Sequence, residues 1–180
     1  MIILASKSPR RKELLSLITD DFTVDSAEVD ETLPSGIEPD KAVEYLSKIK
    51  AQPFRKSGKI VIGADTVVAI DGEILGKPKN EKDAFLMLKN LSGKEHSVFT
   101  GVTVIKNDKE VTFSVQTKVK FFELDDREIE DYISSGEPFD KAGAYGIQGK
   151  GSLFVEKIDG DYFNVVGLPI SRLARQLKSI

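Results

Sequence analysis

Hydrophobic and polar positions follow two periods along this chain, and the changes of period mark its elements. Residues 2–5 (IILA) form an apolar run that predicts a short buried strand. Ser8 and Pro9 then supply an N-cap and a first helical position. Leu14, Leu15, Leu17 and Ile18 give the following helix its apolar face. Phe22–Asp25 reads as a strand, and residues 26–38, acidic and carrying Pro34 and Gly36, read as a loop. Pro39 opens a second helix with Ala42, Leu46 and Ile49 at helical spacing. KIVIGA (59–64) and TVVAI (66–70) are strand-like, and Asp71-Gly72 signals a hairpin. Asn80 and Asp83 start a helix that runs to Leu91, with Gly93 as its stop.

Ser97–Ile105 reads as a strand and Asn107-Asp108 as a turn. Val111, Phe113, Val115, Thr117, Val119 and Phe121 alternate strictly, which predicts one long half-buried strand. Asp125 and Glu128 cap another helix, ended by Gly136. Residues 137–151 carry four glycines and read as a loop. Leu153–Ile158 and Tyr162–Val166 flank a turn at Asp159-Gly160-Asp161, and Pro169 opens a C-terminal helix. The chain is therefore α/β. Its long antiparallel strands argue against a purely doubly wound parallel sheet.

Composition acts mainly by exclusion. A chain of 180 residues favours one domain, and no segment repeats. Lys+Arg total 26 and Asp+Glu 29, a net charge of −3. That balance argues against a protein that coats nucleic acid. With no cysteine and only His96, thiol catalysis, zinc-thiolate sites and paired-histidine metal sites are out. His96, at a strand start after Lys94-Glu95, reads as a surface residue. Fully apolar runs reach about five residues, far short of the ~20 of a membrane helix. The N-terminal residues lack the pattern of a signal peptide. A soluble, reducing, cytoplasmic setting is expected.

Several segments carry candidate chemistry. Ser6-Lys7-Ser8-Pro9-Arg10-Arg11 joins a buried strand to a helix N-terminus, where free N–H groups and guanidinium forks suit a phosphate. The alternative is that both arginines point into water. Asp65 lies between two apolar stretches, where a carboxylate must be paired, metal-bound or raised in pKa. It could instead cap a turn between two strands. Lys77, between Gly76 and Pro78, suits a point-charge phosphate ligand. The run Gly146–Gly151 fails as a phosphate loop: five residues separate Gly143 from Gly149-Lys150, and Gly151 stands where Ser or Thr is required. Within it Gln148 is free to read a base edge. Glu28, Asp30 or Glu31, paired with Asp65, suits a hard cation such as Mg²⁺. Lys48 and Lys50 complement the end of the second helix. Tyr45, Tyr132 and Tyr145 read as packing residues. Two carboxylates, two arginines, two lysines and a glutamine, without a Cys or His nucleophile, suit metal-assisted phosphoryl chemistry better than acyl transfer.

Taken together, residues 5–11 (ASKSPRR), 62–68 (IGADTVV), 76–78 (GKP), 140–151 (DKAGAYGIQGKG), 160–162 (GDY) and 166–170 (VGLPI) resemble the Maf family, also called septum-formation-inhibitor-like proteins. The resemblance spans nearly the whole chain. It implies a two-lobed α/β fold around a strongly curved mixed β-sheet with flanking helices, similar to the inosine-triphosphate pyrophosphatases. It implies a single Maf-like domain over residues 1–180 with the substrate cleft between its lobes. It implies hydrolysis of a nucleoside triphosphate to monophosphate and pyrophosphate with a divalent metal, Mg²⁺ or Mn²⁺.

By position, the family's site falls on Ser6, Arg10, Arg11, Glu31, Lys50, Asp65, Thr66, Lys77 and Gln148. Asp65 is the general base and, with Glu31, a metal ligand. Lys50 and Lys77 assist catalysis. Ser6, Arg10, Arg11, Thr66 and Gln148 bind substrate. Ala64-Asp65-Thr66 and the Gln148 loop resemble the branch acting on dTTP and UTP, with modified pyrimidine triphosphates as further substrates. The branch acting on 7-methyl-GTP has a Ser-Asp-Gln sequence there, and that activity is the alternative. A binding regulator that arrests septum formation is a second alternative. Neither nucleic acid nor membrane is an expected partner, and a homodimer stays open.

Overall fold

The computed structural model describes residues 1–180. The strands are β1 (Ile2–Ala5), β2 (Phe22–Asp25), β3 (Ile60–Ile70), β4 (Glu73–Leu75), β5 (Glu95–Lys106), β6 (Lys109–Phe121) and β7 (Val155–Asp159). The helices are α1 (Pro9–Ser16), α2 (Pro39–Ala51), α3 (Glu81–Leu91), α4 (Asp126–Ser134), α5 (Tyr162–Val166) and α6 (Ile170–Leu177). The strands follow the order β2-β1-β3-β5-β6-β7, with β4 paired to β3. β1 is parallel to both neighbours, Ile2 facing Phe22 on one side and Ile60 on the other. The β3–β4 and β6–β7 pairs are antiparallel. The expected mixed α/β sheet with flanking helices is what forms. No helix is long and apolar enough to cross a membrane.

Two compact units divide the chain. The first holds Met1–Thr66, Phe99–Val115 and Phe163–Ile180. Its core includes Leu4, Leu15, Val43, Val61, Ile62 and Ile105, all fully buried. Helix α2 lies directly on the strands of this unit because two residues beneath it have no side chain. A Cβ on Gly63 would sit 2.2 Å from the Ser47 carbonyl oxygen, and one on Gly101 would sit 2.1 Å from that of Val43. Ala42, Val43, Leu46, Ser47 and Ala51 form the buried face of α2.

The second unit holds Val67–Val98 and Gln116–Tyr162. Phe121, Leu88, Leu91 and Ile129 are fully buried in it. Asp71 (φ 51°) and Gly72 (φ 80°) both adopt the positive φ that a tight two-residue hairpin needs. The Asp125/Glu128 capping box forms as expected, each side chain bonding the other's backbone N–H at 2.9 Å.

Four readings of the sequence are corrected. β3 is continuous from Ile60 to Ile70, so Asp65 lies within a strand and caps no turn. His96 is not at the surface. β5 begins at Glu95, two residues before the expected start, and this puts His96 on the inward side of the alternation with Val98 and Thr100. It is 3% exposed, and its Nε2 lies 2.6 Å from the Tyr145 hydroxyl. Edge-on contacts to Phe121 and Tyr145 complete the surroundings, and burial lowers its pKa to about 4. Finally, Tyr162–Val166 is helical rather than extended. The Phe163 carbonyl accepts the N–H groups of both Gly167 and Leu168, closing a single turn. Leu153 likewise falls in a 3-10 turn (Gly149–Phe154) that precedes β7.

Candidate active site

The first unit gathers its chemistry around the β1–α1 junction. β1 delivers Ser6, 7% exposed, to the start of α1. The Ser8 side chain accepts from the Arg11 backbone N–H at 3.4 Å, and Pro9 takes the first helical position. Ser6 Oγ accepts from the Ser8 N–H and from Arg11 Nη1, each at 3.3 Å. Arg11 therefore turns inward rather than into water. Its Nε donates to the Gly167 carbonyl at 2.9 Å and its Nη2 to Thr66 Oγ1 at 3.0 Å.

These bonds fix the direction of a short hydroxyl relay. Thr100 donates its one proton to the Asn164 carbonyl at 2.9 Å. The Thr66–Thr100 bond, 2.8 Å, must then be donated by Thr66, which accepts from Arg11. The order is Arg11 to Thr66 to Thr100 to the Asn164 carbonyl. Burial draws the Arg11 pKa below its ordinary value, Asp65 opposes this, and Arg10 adds to it. Arg10 is thus close enough to crowd a second positive charge onto the same helix end.

The acidic part of the cluster rests on Lys50, in the last turn of α2. Its Nζ donates to Asp65 Oδ1 at 2.5 Å and lies 3.0 Å from Glu31 Oε2. Asp65 is 14% exposed, Lys50 19% and Glu31 54%, so the pair at Asp65 is sheltered while Glu31 reaches it from solvent. Gly63 explains the reach of Lys50. Residues 63 and 65 point to the same face of β3, and the missing Cβ at 63 lets α2 approach that face. Of the three acidic-loop candidates, Glu31 is the one brought to Asp65. Asp30 instead binds Thr32, whose hydroxyl first and backbone N–H second lower its pKa.

Sequence reasoning thus finds Ser6, Arg11, Glu31, Lys50, Asp65 and Thr66 in one unit. Lys77 and Gln148 belong to the second unit, and both are exposed. The Gly143 N–H donates to the Gly76 carbonyl at 3.0 Å, so the segments that carry Lys77 and Gln148 are tied within that unit. Thr100, Asn164 and Gly167 were missed. A threonine in an apolar strand signals β-propensity and nothing more, and the other two act through backbone carbonyls.

No three His, Cys, Asp or Glu residues converge as a complete metal shell. Glu31 and Asp65 nonetheless share one cation, the Lys50 ammonium. Two carboxylates are what a Mg²⁺ site takes from protein when substrate phosphates and waters complete its shell. The donor set therefore fits a hard divalent cation. Chemically, the unit offers a sheltered carboxylate held by an ammonium, and a helix N-terminus with clustered positive charge. That combination suits a phosphate anhydride and an attacking water.

Residues 1–180 match the Maf-like protein family. The dTTP/UTP pyrophosphatase of Bacillus pumilus (strain SAFR-032) is 52% identical over 180 residues, covering 99% of this chain and 95% of the relative. That of Bacillus cereus (strain AH187) is 55% identical over 179 residues, covering 98% and 94%. Among solved structures, a HAM1 protein from Coxiella burnetii superposes over 99% of this chain and 98% of its own, with a TM-score of 0.54 at 12% identity. The Staphylococcus aureus Ham1 protein covers 67% of this chain and 71% of its own, with a TM-score of 0.50 at 17% identity. At these identities the two structures share the fold alone.

Proposed function

The chain belongs to the Maf family, and on that premise we propose that it is a metal-dependent pyrophosphatase that hydrolyses dTTP and UTP to the monophosphate and pyrophosphate. The observation that carries this reading is the Glu31–Lys50–Asp65 arrangement beside the α1 N-terminus. The substrate follows from the activity of the Bacillus relatives.

Asp65 takes a proton from water as the water oxygen bonds to the α-phosphorus. The bridging P–O bond breaks, and its electron pair leaves with pyrophosphate. Lys50 holds the Asp65 carboxylate in one position for this transfer. Glu31 and Asp65 would hold Mg²⁺ or Mn²⁺, which when bound neutralises phosphate charge and polarises the reacting oxygen. Three of the five N–H groups of Arg11 hold Ser6, Thr66 and Gly167. The remaining two, with Arg10 and the Ser6 hydroxyl, are assigned to the triphosphate, and Lys77, exposed in the second unit, is assigned to it as a point charge.

Gln148 reads the base. A uracil or thymine edge presents carbonyl, imide N–H and carbonyl, and an amide side chain pairs with N–H and oxygen together. Pyrimidines modified elsewhere on the ring keep that edge and remain substrates.

The test is product analysis across a nucleotide panel with Mg²⁺ and Mn²⁺. Pyrophosphate should be the direct product, with dTTP and UTP above ATP and GTP in kcat/KM. Orthophosphate as first product, full activity in excess chelator, or 7-methyl-GTP as best substrate would each overturn the corresponding part.

A further inference from the structure

The glycine-rich segment 146–151 fails as a phosphate loop in sequence, and its surroundings give the physical reason. The N–H groups that a phosphate would use are already taken by a carboxylate of the same chain. Glu137 Oε2 accepts from the Lys150 N–H at 3.2 Å, and Oε1 from the Gly151 N–H at 3.4 Å. At the other end of the segment, the Gly146 N–H donates to the Tyr132 hydroxyl at 3.4 Å. Tyr132 keeps its proton, because burial and the nearby Glu137 push its pKa well above the usual range. Lys141, only 13% exposed, donates to the Glu137 carbonyl and to Asp140 Oδ1, each at 2.7 Å.

The glycines fit this closure and no external ligand. A Cβ on Gly149, where φ is +70°, would sit 2.7 Å from Glu137 Oε1. One on Gly146 would sit 2.7 Å from Lys141 Cε, and one on Gly151 would sit 2.2 Å from the Gly146 carbonyl oxygen. The missing side chains at Gly149 and Gly151 leave room for Glu137 and Tyr132, the two residues that fasten the loop. Ile147, between the two fastened ends, is buried, and Gln148 beside it is exposed. The segment is thus pinned on both sides of Gln148, which it presents together with Lys150.

We infer that Glu137, with Tyr132, is a positioning residue for base selection: its carboxylate latches the 146–151 loop so that Gln148 is presented in one conformation. This rests on the reading of Gln148 as the base-reading group. When the latch opens, the binding-competent loop becomes a minority state, and apparent affinity falls by the fraction lost. The loss falls on substrates read through the loop. The water-activating cluster around Asp65 belongs to the other unit and does not depend on the latch.

The experiment compares wild type, E137A, E137Q, Y132F, Q148A and the E137A/Q148A double variant. Steady-state kinetics are measured with dTTP and GTP. Amide hydrogen exchange at residues 146–151 is followed in parallel, a readout independent of turnover. In E137A, exchange at Lys150 and Gly151 should speed up. The kcat/KM for dTTP should fall about tenfold, mainly through KM, less than two buried charge-assisted bonds would give because these two are long and one is exposed. GTP turnover should change little. E137Q, which keeps one acceptor, should recover part of the loss. The double variant should match Q148A alone, because both changes remove the same interaction.

Faster loop exchange with unchanged dTTP-over-GTP preference in E137A would overturn the proposal. So would equal losses for both nucleotides, the mark of general destabilisation. If E137A does not fold, E137Q and Y132F decide the matter by the same preference ratio. If Q148A itself leaves the preference unchanged, base reading by Gln148 fails. The latch then stands only if E137A still lowers the preference, with loop backbone groups as the reader.

Discussion

Replacing Gly63 by alanine should damage catalysis without touching any group that meets substrate. The new Cβ would lie 2.2 Å from the Ser47 carbonyl oxygen and 3.0 Å from both the backbone N and the Cβ of Ala51, whereas ordinary contact begins at 3.4 Å. Relief by movement of α2 alone requires a shift of about 1.2 Å, the difference between the first and last of these distances. Lys50 stands on the same turn of the helix as Ser47 and Ala51, so its ammonium moves with it. A bond of 2.5 Å to Asp65 stretched by that amount leaves hydrogen-bonding range. Misplacement of a catalytic group by roughly 1 Å costs on the order of 10²-fold in rate. Overpacking of this kind costs about 1–3 kcal/mol in stability, or roughly 2–12 °C in melting temperature for a chain of this size.

The assay is kcat from pyrophosphate release with saturating dTTP, alongside thermal unfolding. Gly101→Ala is the control, since its Cβ would strike α2 at Val43, about two turns before Lys50. It should cost comparable stability and less kcat. If Gly63→Ala keeps wild-type kcat at wild-type stability, α2 does not set the position of Lys50 and the reasoning is wrong.

Asp65→Asn should lower kcat by about 10²–10⁴ with the fold intact, the usual effect of losing a general base; near-wild-type turnover would remove Asp65 from that role. Arg11→Lys should lose most of its activity and some stability, because an ammonium cannot hold Ser6, Thr66 and Gly167 together; wild-type kcat/KM in this variant would refute the clamp. His96, depressed from 6.5 to about 4 by burial, binds a proton more readily in the unfolded chain. Its contribution is therefore complete above pH 6.5 and is lost as pH falls towards 4, up to about 3 kcal/mol. The melting temperature should fall over pH 6.5 to 5, above the ordinary carboxylate range, and His96→Phe should flatten that slope; an unchanged slope would assign it to other groups.

Local signals made much of the fold legible. The Ser8 cap, the Asp125/Glu128 box and the Asp71-Gly72 turn each depend on residues within a few positions of one another, and all three form. Asp65 was legible as chemistry because a carboxylate in an apolar run needs a partner. Resemblance placed Lys50 in the same site, but that it pairs with Asp65, and the reason the two meet, Gly63 under α2, did not show in the sequence. The relay from Arg11 through Thr66 and Thr100 to Asn164 was invisible, since its links join residues 55, 34 and 64 positions apart. His96 was misread because the strand begins two residues earlier than expected and takes His96 into the inward-facing alternation. Tyr162–Val166 has strand-like composition but is helical, with the Phe163 carbonyl accepting from Gly167 and Leu168. Glu137 carries no local signal of its role, because the N–H groups it binds lie more than a dozen residues further on.

The inward turn of Arg11 also bears on the order in which the molecule is assembled. One side chain near the start of the chain is fastened to residues 55 and 156 positions downstream. β1, just before it, needs β3 for its parallel partner. Contacts this distant in sequence carry a heavy loop-closure penalty and form late. During synthesis, an emerging chain holds Arg10 and Arg11 long before it holds Thr66, and Thr66 long before Gly167. Until the Gly167 segment arrives, the guanidinium lacks one of the partners that hold it. The phosphate-binding geometry proposed for Arg11 is therefore complete only after Gly167 has been made.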